Sequence, residues 1–402
     1  MRRTAAANRV PAVDAAPRLP VLDGLRGFIL FVLVWHFYDP IWLPRATAAQ
    51  QVVLVGFNLI SWAAVPALDV FFVLSGFLIT GILLDSKGAR SYFRTFYARR
   101  ALRIFPVYYG VLFLLFFVVP RVYDSPGLRL TPIQHLLYWG YLTNIGMTLG
   151  WQPVTGTGHL WSLAVEEQFY LVWPAVVYVC SRARLKTVCI GCLIAAPLCR
   201  IALAFTVGDS AGDVFTPARM DGLALGALLS VLFRETGAWP ALARRATPMA
   251  LAAAGTLGAI ATYHGHFDLE DRLEQIVGLT ASTYLAGAIV VISITAGERD
   301  LWYRSIASWP LRKIGQFSYA TYVFHLPLSL VLDRTGFVRR QAFDRWFVTE
   351  LGAELAYVTT LVILSIAVGV VSWHLVEKHF LKWKRYVPYE YAAAPSMGLS
   401  QR

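Results

Sequence analysis

Four arginines, two adjacent glutamates and two histidines sit in this chain where an apolar sequence has least reason to keep them. Arg26 and His36 fall in "LDGLRGFILFVLVWHF" (22–37). On one helix their spacing separates them by roughly 15 Å along the axis and about 80° around it, so they cannot pair with each other. Arg99, Arg100 and Arg103 follow in "ARRALRIFP" (98–106), with Arg99 and Arg103 at i, i+4 on one face. A helix is expected to start there, and a helix N-terminus carrying several guanidiniums can hold phosphate oxygens. Glu166 and Glu167 lie six or seven residues into the helix read from "HLWSLAVEEQFYLVWP" (159–174). Charged groups inside an apolar helix are costly, which makes each a candidate for function. Together they offer a cationic cluster that can dock a cytosolic phosphorylated cofactor and, at comparable depth below the other surface, a carboxylate that can orient an imidazole.

Each residue also has a plainer role. Arg26 can snorkel to cytoplasmic headgroups, the arginine cluster can set topology, and His36 can be a polar tip at the outer interface. Glu166 and Glu167 can be solvated in a wet, partly re-entrant vestibule. Asp69 in "ALDVFFVLSGFLIT" and Asp221 in "ARMDGLALG" stand near helix starts, where acids act as caps. His325 in "FSYATYVFHLPL" falls near mid-membrane and suits a helix–helix hydrogen bond. Ser75, before Gly76, reads as a close-packing position and not as a nucleophile. Cys180, Cys189, Cys192 and Cys199 share one apolar region, and the C-x-x-C among them has no second ligand pair. With "HGH" (264–266) too short to argue for a metal and no H-E-x-x-H, no metal site is expected. No Walker loop or G-x-S-x-G elbow occurs either.

The elements that must position these groups follow from composition. The 402 residues are 57% hydrophobic and only 15% charged, with a mean hydropathy of +0.55, whereas soluble domains carry about 25% charged residues. The expected fold class is therefore all-α, a polytopic integral membrane protein. A net charge of +12 does not indicate nucleic acid, because the basic residues lie between apolar runs and form no single patch. Apolar windows long enough to span occur at 23–42, 66–84, 103–120, 132–149, 160–180, 186–207, 219–235, 246–263, 274–295, 314–333 and 353–376.

Basic connectors at 85–103, 181–186, 234–247, 297–313 and 377–386 all face the cytoplasm only if one window between 120 and 180 fails to cross. The weakest is 132–149, which holds Gln134, His135, Asn144 and the breakers Pro132, Gly140 and Gly146. This predicts about ten crossings with both termini cytoplasmic and 121–159 as an outer, partly re-entrant loop. The connector 334–352, with Arg334, Arg339, Arg340 and Arg345, is the one basic segment left outside. A cytosolic tail over 1–20, without signal-peptide features, precedes a membrane domain at 21–385 and a second cytosolic tail at 386–402.

In this order, "LDGLRGFILFVLVWHF", "LDVFFVLSGFLIT", "YARRALRIFPVYY", "HLWSLAVEEQFYLVWP", "RMDGLALG", "IGQFSYATYVFHLPL" and "LVEKHF" resemble the acyltransferase-3 family of membrane O-acyltransferases. The likeness runs from residue 20 to about 385 and departs at His379, where the family often has proline. It places the family's functional positions on Arg26, His36, Arg100, Arg103 and Glu166. It implies transfer from a cytosolic acyl-CoA, usually acetyl-CoA, to a hydroxyl of a cell-envelope glycan, at the bacterial inner membrane. Some relatives acylate small molecules such as antibiotics, and some carry a fused extracytoplasmic esterase domain, which this chain is not expected to include.

The expected mechanism has Arg26, Arg99, Arg100 and Arg103 holding the phosphates of acyl-CoA, with no permanently bound cofactor. His36 acts as general base with Glu166 orienting it, and Asp69, Glu167, Asp221 and His325 contact the acceptor. Membrane lipid and a carbohydrate or small-molecule acceptor are the expected partners. A transporter or flippase is the competing class. It would place acids at mid-membrane on broken helices in matching halves, a pattern absent from this sequence.

Overall fold

The computed structural model describes residues 19–38, 63–122, 126–207, 211–235, 237–264 and 271–390. The N-terminal tail up to residue 18, the connector 39–62 and the last twelve residues lie outside them, as does His266. All regular structure among the described residues is helical. The long helices are α1 (Pro20–Tyr38), α2 (Ala64–Asp85), α3 (Tyr92–Phe113), α4 (Leu160–Val179), α5 (Arg182–Thr206), α6 (Thr216–Phe233), α7 (Ala238–His264), α8 (Leu279–Thr295), α9 (Trp309–Thr335) and α10 (Glu350–Ser372).

Six spans are long and apolar enough to cross a bilayer: 20–38, 64–85, 92–122, 182–206, 274–295 and 350–386. The protein is therefore a multi-pass membrane protein. The remaining long helices carry much of the polar content, including Glu166 and Glu167 in α4, Arg219 and Asp221 in α6, and His325 in α9.

Helix α2 lies at the centre, against α1, α4, α6 and α8, while α1 packs along α9 and touches α10. Small residues set the closest approaches, as in other membrane bundles. A Cβ on Gly27 of α1 would stand 2.0 Å from the Leu311 carbonyl oxygen, and one on Gly315 of α9 would stand 1.9 Å from that of Asp23. These two helices therefore meet backbone to backbone. Gly76 of α2 plays the same part toward Leu223 of α6, so the packing role read for Ser75 belongs to its neighbour.

One expectation needs revision. Helix α3 does not begin at the arginines: it starts at Tyr92, after a turn at Gly88 with φ of 91°. Arg100 and Arg103 thus sit two to three turns inside it, and no unpaired helix N-terminus lies beside them. Hydropathy missed this because "YFRTFYARR" is too polar to register as span, although its aromatic face packs against α4. There Tyr92 and Tyr97 donate to the carbonyls of Pro174 and Leu171. Past Phe113, α3 continues through a π-helical turn at Leu114–Val118 to Val122.

The window 132–149, the one not expected to cross, forms two short helices, Pro132–Trp139 and Thr143–Thr148. They break at Tyr141, a non-glycine residue held at φ 54° with its ring stacked on Tyr108 at 4.1 Å. The segment is bound into the bundle: Tyr108 donates to the Tyr138 carbonyl, and Gln168 of α4 donates to the Tyr141 carbonyl and to Asn144.

Candidate functional site

Five helices wall a cavity of about 90 Å³. Helix α1 contributes Arg26, α2 Ser75, α3 Arg100 and Arg103, α4 Ser162, Glu166, Glu167 and Tyr170, and α9 Tyr319 and Tyr322. Each group survives inside an apolar bundle because others satisfy it. Ser75 donates to Glu166 at 2.5 Å, and Tyr170 donates to Ser75 at 3.1 Å. Arg26 and Arg100 both act electrostatically on the Glu166 carboxylate, while Glu377, from the π-helical turn after α10, faces Arg103. The Arg100 guanidinium lies over the rings of Phe96 and Tyr170 at 5.7 and 5.4 Å, a planar contact that lysine would not reproduce. Three guanidiniums and two glutamates line the cavity, with Glu377 facing Arg103 from behind, so the space is densely polar and suited to a strongly polarised ligand.

Of the residues singled out from sequence, Arg26, Arg100, Arg103, Glu166 and Glu167 come together here. His36 does not line the cavity. It is exposed near the C-terminal end of α1, with its ring 5.5 Å from that of Phe37. The expected pairing of Glu166 with His36 is replaced by Ser75 and the arginines. Depth counted from each helix's own end put the two residues level, but Glu166 shares its level with Arg26, roughly 15 Å along α1 from His36.

Arg99 also stands apart. It donates to the carbonyls of Lys384 and Val387 and covers the Tyr389 ring at 4.6 Å, clasping the segment after α10. Arg99→Ala is accordingly expected to leave donor KM within about twofold of wild type. Arg100→Ala, which removes a charge-assisted contact, is expected to raise it about tenfold or more. Steady-state kinetics on purified variants decide, and equal effects from both would refute the assignment.

Asp69 and Asp221 are not helix caps. Helix α2 starts after Ala63 with no side-chain cap, and both acids sit further in, each bound to a buried arginine. Arg219 meets Asp69 at 2.8 Å and Arg200 meets Asp221 at 2.8 Å. Ser282 donates to Asp69, and Arg200 also donates to the Ala218 carbonyl and to Thr280. The cluster ties α2, α5, α6 and α8 together beside the cavity. Sequence reading missed both arginines, although a lone Arg in "APLCRIALAF" is itself the signal for a buried acid nearby.

His325 is fully buried, its Nδ1 at 2.6 Å from the Tyr322 carbonyl. This is an intrahelical bond, not the helix–helix bond expected. Among the described residues no cluster has the makings of a metal site, and the four cysteines are unpaired. In the 334–352 connector, Arg340 is engaged by Asp344 and by Glu354 of α10, which neutralises part of that segment's charge.

A family model for an acyltransferase domain, acyltransferase-3, matches residues 19–374. O-acetyltransferase OatA of Staphylococcus aureus (strain NCTC 8325 / PS 47) is 27% identical over 374 residues, which is 85% of this chain and 56% of that protein. The protein named "Putative peptidoglycan O-acetyltransferase YrhL" of Bacillus subtilis (strain 168) is 27% identical over 387 residues, 90% of this chain and 54% of its own length. The chain thus spans little more than half the length of these relatives. No solved structure matches it. With a match over nearly its whole length, the chain belongs to the acyltransferase-3 family.

Proposed function

We propose that the protein is a membrane O-acyltransferase that moves an acyl group, acetyl in the first instance, from cytosolic acyl-CoA to a hydroxyl of a cell-envelope glycan. One observation carries the reading. Arg26, Arg100 and Arg103, scattered over three turns of two helices, converge with Glu166 and Glu167 in one buried cavity. The names of the OatA and YrhL relatives favour O-acetylation, and YrhL's name favours peptidoglycan as the acceptor class. In this reading the protein lies in the inner membrane with about ten crossings, the 121–159 segment re-entrant and both termini cytoplasmic.

The cavity, at about 90 Å³, is far below the size of pockets that enclose a whole cofactor-sized ligand. It suits the narrow pantetheine arm of the donor, passing between the helices toward His36. The nucleotide end is left to the basic inner surface, where Arg90, Arg94 and Arg385 are exposed. Arg26, Arg100 and Arg103 then hold the donor's anionic phosphates at the inner mouth of that passage. The acceptor hydroxyl gives its proton to His36 as its oxygen bonds to the acyl carbon. The C–S bond breaks, and the CoA thiolate recovers a proton, so the imidazole returns to its starting state. A pantetheine arm bridges the roughly 15 Å between the levels of Arg26 and His36.

The test incubates membranes holding the full chain with acetyl-labelled acetyl-CoA and, in turn, peptidoglycan, exopolysaccharide and lipopolysaccharide. Label that appears on one glycan and is released by mild base identifies an ester. No base-labile label on any of the three would refute the reading.

A further inference from the structure

One helical turn outward from the cavity wall, past Ser162 and Tyr322, two imidazoles lie buried side by side. His159 precedes α4 and His325 sits in α9; they are 1% and 0% exposed, with ring centroids 4.5 Å apart. Ser162 and Tyr322, which line the cavity, share a hydrogen bond of 2.8 Å. Both hydroxyls also bond the His159 carbonyl, so the pair is fixed to the cavity's outer end.

The backbone settles which ring nitrogens carry hydrogen. Nδ1 of His325 is 2.6 Å from the Tyr322 carbonyl and Nε2 of His159 is 3.2 Å from the Val323 carbonyl. A carbonyl only accepts, so each of these nitrogens is the protonated one, and the opposite nitrogen of each neutral ring is a bare lone pair. Those lone pairs, on His159 Nδ1 and His325 Nε2, have no partner among the described residues. Buried acceptors are rarely left so. A purely structural role would need only the donating nitrogen, which an amide side chain could supply.

We propose that His159 and His325 form the acceptor's hydroxyl-binding site, each lone pair receiving a hydrogen bond from a hydroxyl of a sugar. The inference rests on the acyltransfer reading and deepens it. Two fixed acceptors call for a ligand rich in donors, and among the described residues no carboxylate is bonded to either ring, whose only bonds go to the Val323 and Tyr322 carbonyls, so neutral hydroxyls fit where an ammonium would lack a counter-charge. The placement suits the reaction. Phe37 lies between the pair and the base: its ring is 4.9 Å from His325, 6.4 Å from His159 and 5.5 Å from His36. A sugar held by the pair meets an aromatic face and has His36 one side chain away. Tyr38 secures the arrangement by donating to the His325 carbonyl at 2.5 Å.

His325→Asn and His159→Gln test this, because each amide nitrogen can keep the hydrogen bond to the backbone carbonyl while no acceptor remains at the position of the far ring nitrogen. The assay uses the purified full chain, labelled acetyl-CoA and a soluble N-acetylglucosamine tetramer as acceptor probe. Each variant is expected to raise acceptor KM tenfold or more, leave donor KM within twofold, and unfold thermally with wild type. Wild-type acceptor KM in folded variants overturns the site, as does an equal rise in donor KM. Failure of both variants to fold also overturns it, since the rings then serve only the fold. If the wild type forms no ester on the tetramer or on the three envelope glycans, the acyltransfer reading falls and the site falls with it. An active wild type with unchanged variants removes the site alone.

Discussion

Arg219→Met is expected to destabilise the protein by about 3–5 kcal/mol, the usual result of stranding a buried charge. Arg219 and Asp69 are each 1% exposed and meet at 2.8 Å. Removing the guanidinium leaves Asp69 with Ser282 as its remaining hydrogen-bond partner. It also takes away the cation lying over Phe72 and Trp161. Equilibrium unfolding in mixed micelles measures the loss. The double variant Asp69→Leu with Arg219→Met is expected to recover most of it, because a buried ion pair contributes little net stability over apolar residues of similar volume. A single variant that loses less than about 1 kcal/mol would mean that water or lipid headgroups reach the pair, and the buried description would fail.

The second large effect falls on turnover. His36→Ala is expected to lower kcat by about 10²–10⁴-fold, the range for losing a general base, with folding unchanged because the ring is exposed. Glu166→Gln offers a contrast. The amide can still receive the Ser75 hydrogen bond, so what changes is the charge balance opposite Arg26 and Arg100. Its expected effect is about tenfold on kcat/KM for the donor, with the acceptor dependence unchanged. Full turnover in His36→Ala membranes would remove His36 from the mechanism.

What could be read from the sequence follows a physical line. Arg26, Arg100, Arg103, Glu166 and Glu167 were recoverable because an ionised side chain inside an apolar run is conspicuous by its cost, whatever it touches. Partners were another matter, because they depend on how helices cross. Counting along α1 and α4 separately placed Glu166 beside His36, and only the packing of both helices on α2 brings it to Arg26. Arg200 and Arg219 escaped for a related reason. The acid that pairs with each lies on a different helix, Asp221 of α6 for Arg200 and Asp69 of α2 for Arg219. His159 escaped because it precedes α4 and reads as a loop residue, although its side chain is buried. The start of α3 was hidden by the reverse problem, a helix whose inner end is too polar for hydropathy to see.

The glycine seam between α1 and α9 has a mechanical consequence. Helices that touch through backbone at Gly27 and Gly315 have no side-chain cushion over which to slide, so they behave as one stiff plate carrying Arg26, Tyr319 and Tyr322. A donor can widen the narrow cavity only by displacing the opposite wall. Helix α3 supplies Arg100 and Arg103 to that wall, and its π-helical turn at Leu114–Val118 is where an α-helix bends most readily. Its inner end is latched by Arg99 to the segment following α10. Helix α3 therefore carries a pliable turn at one end and a clasp at the other, with Arg100 and Arg103 of the cavity between them.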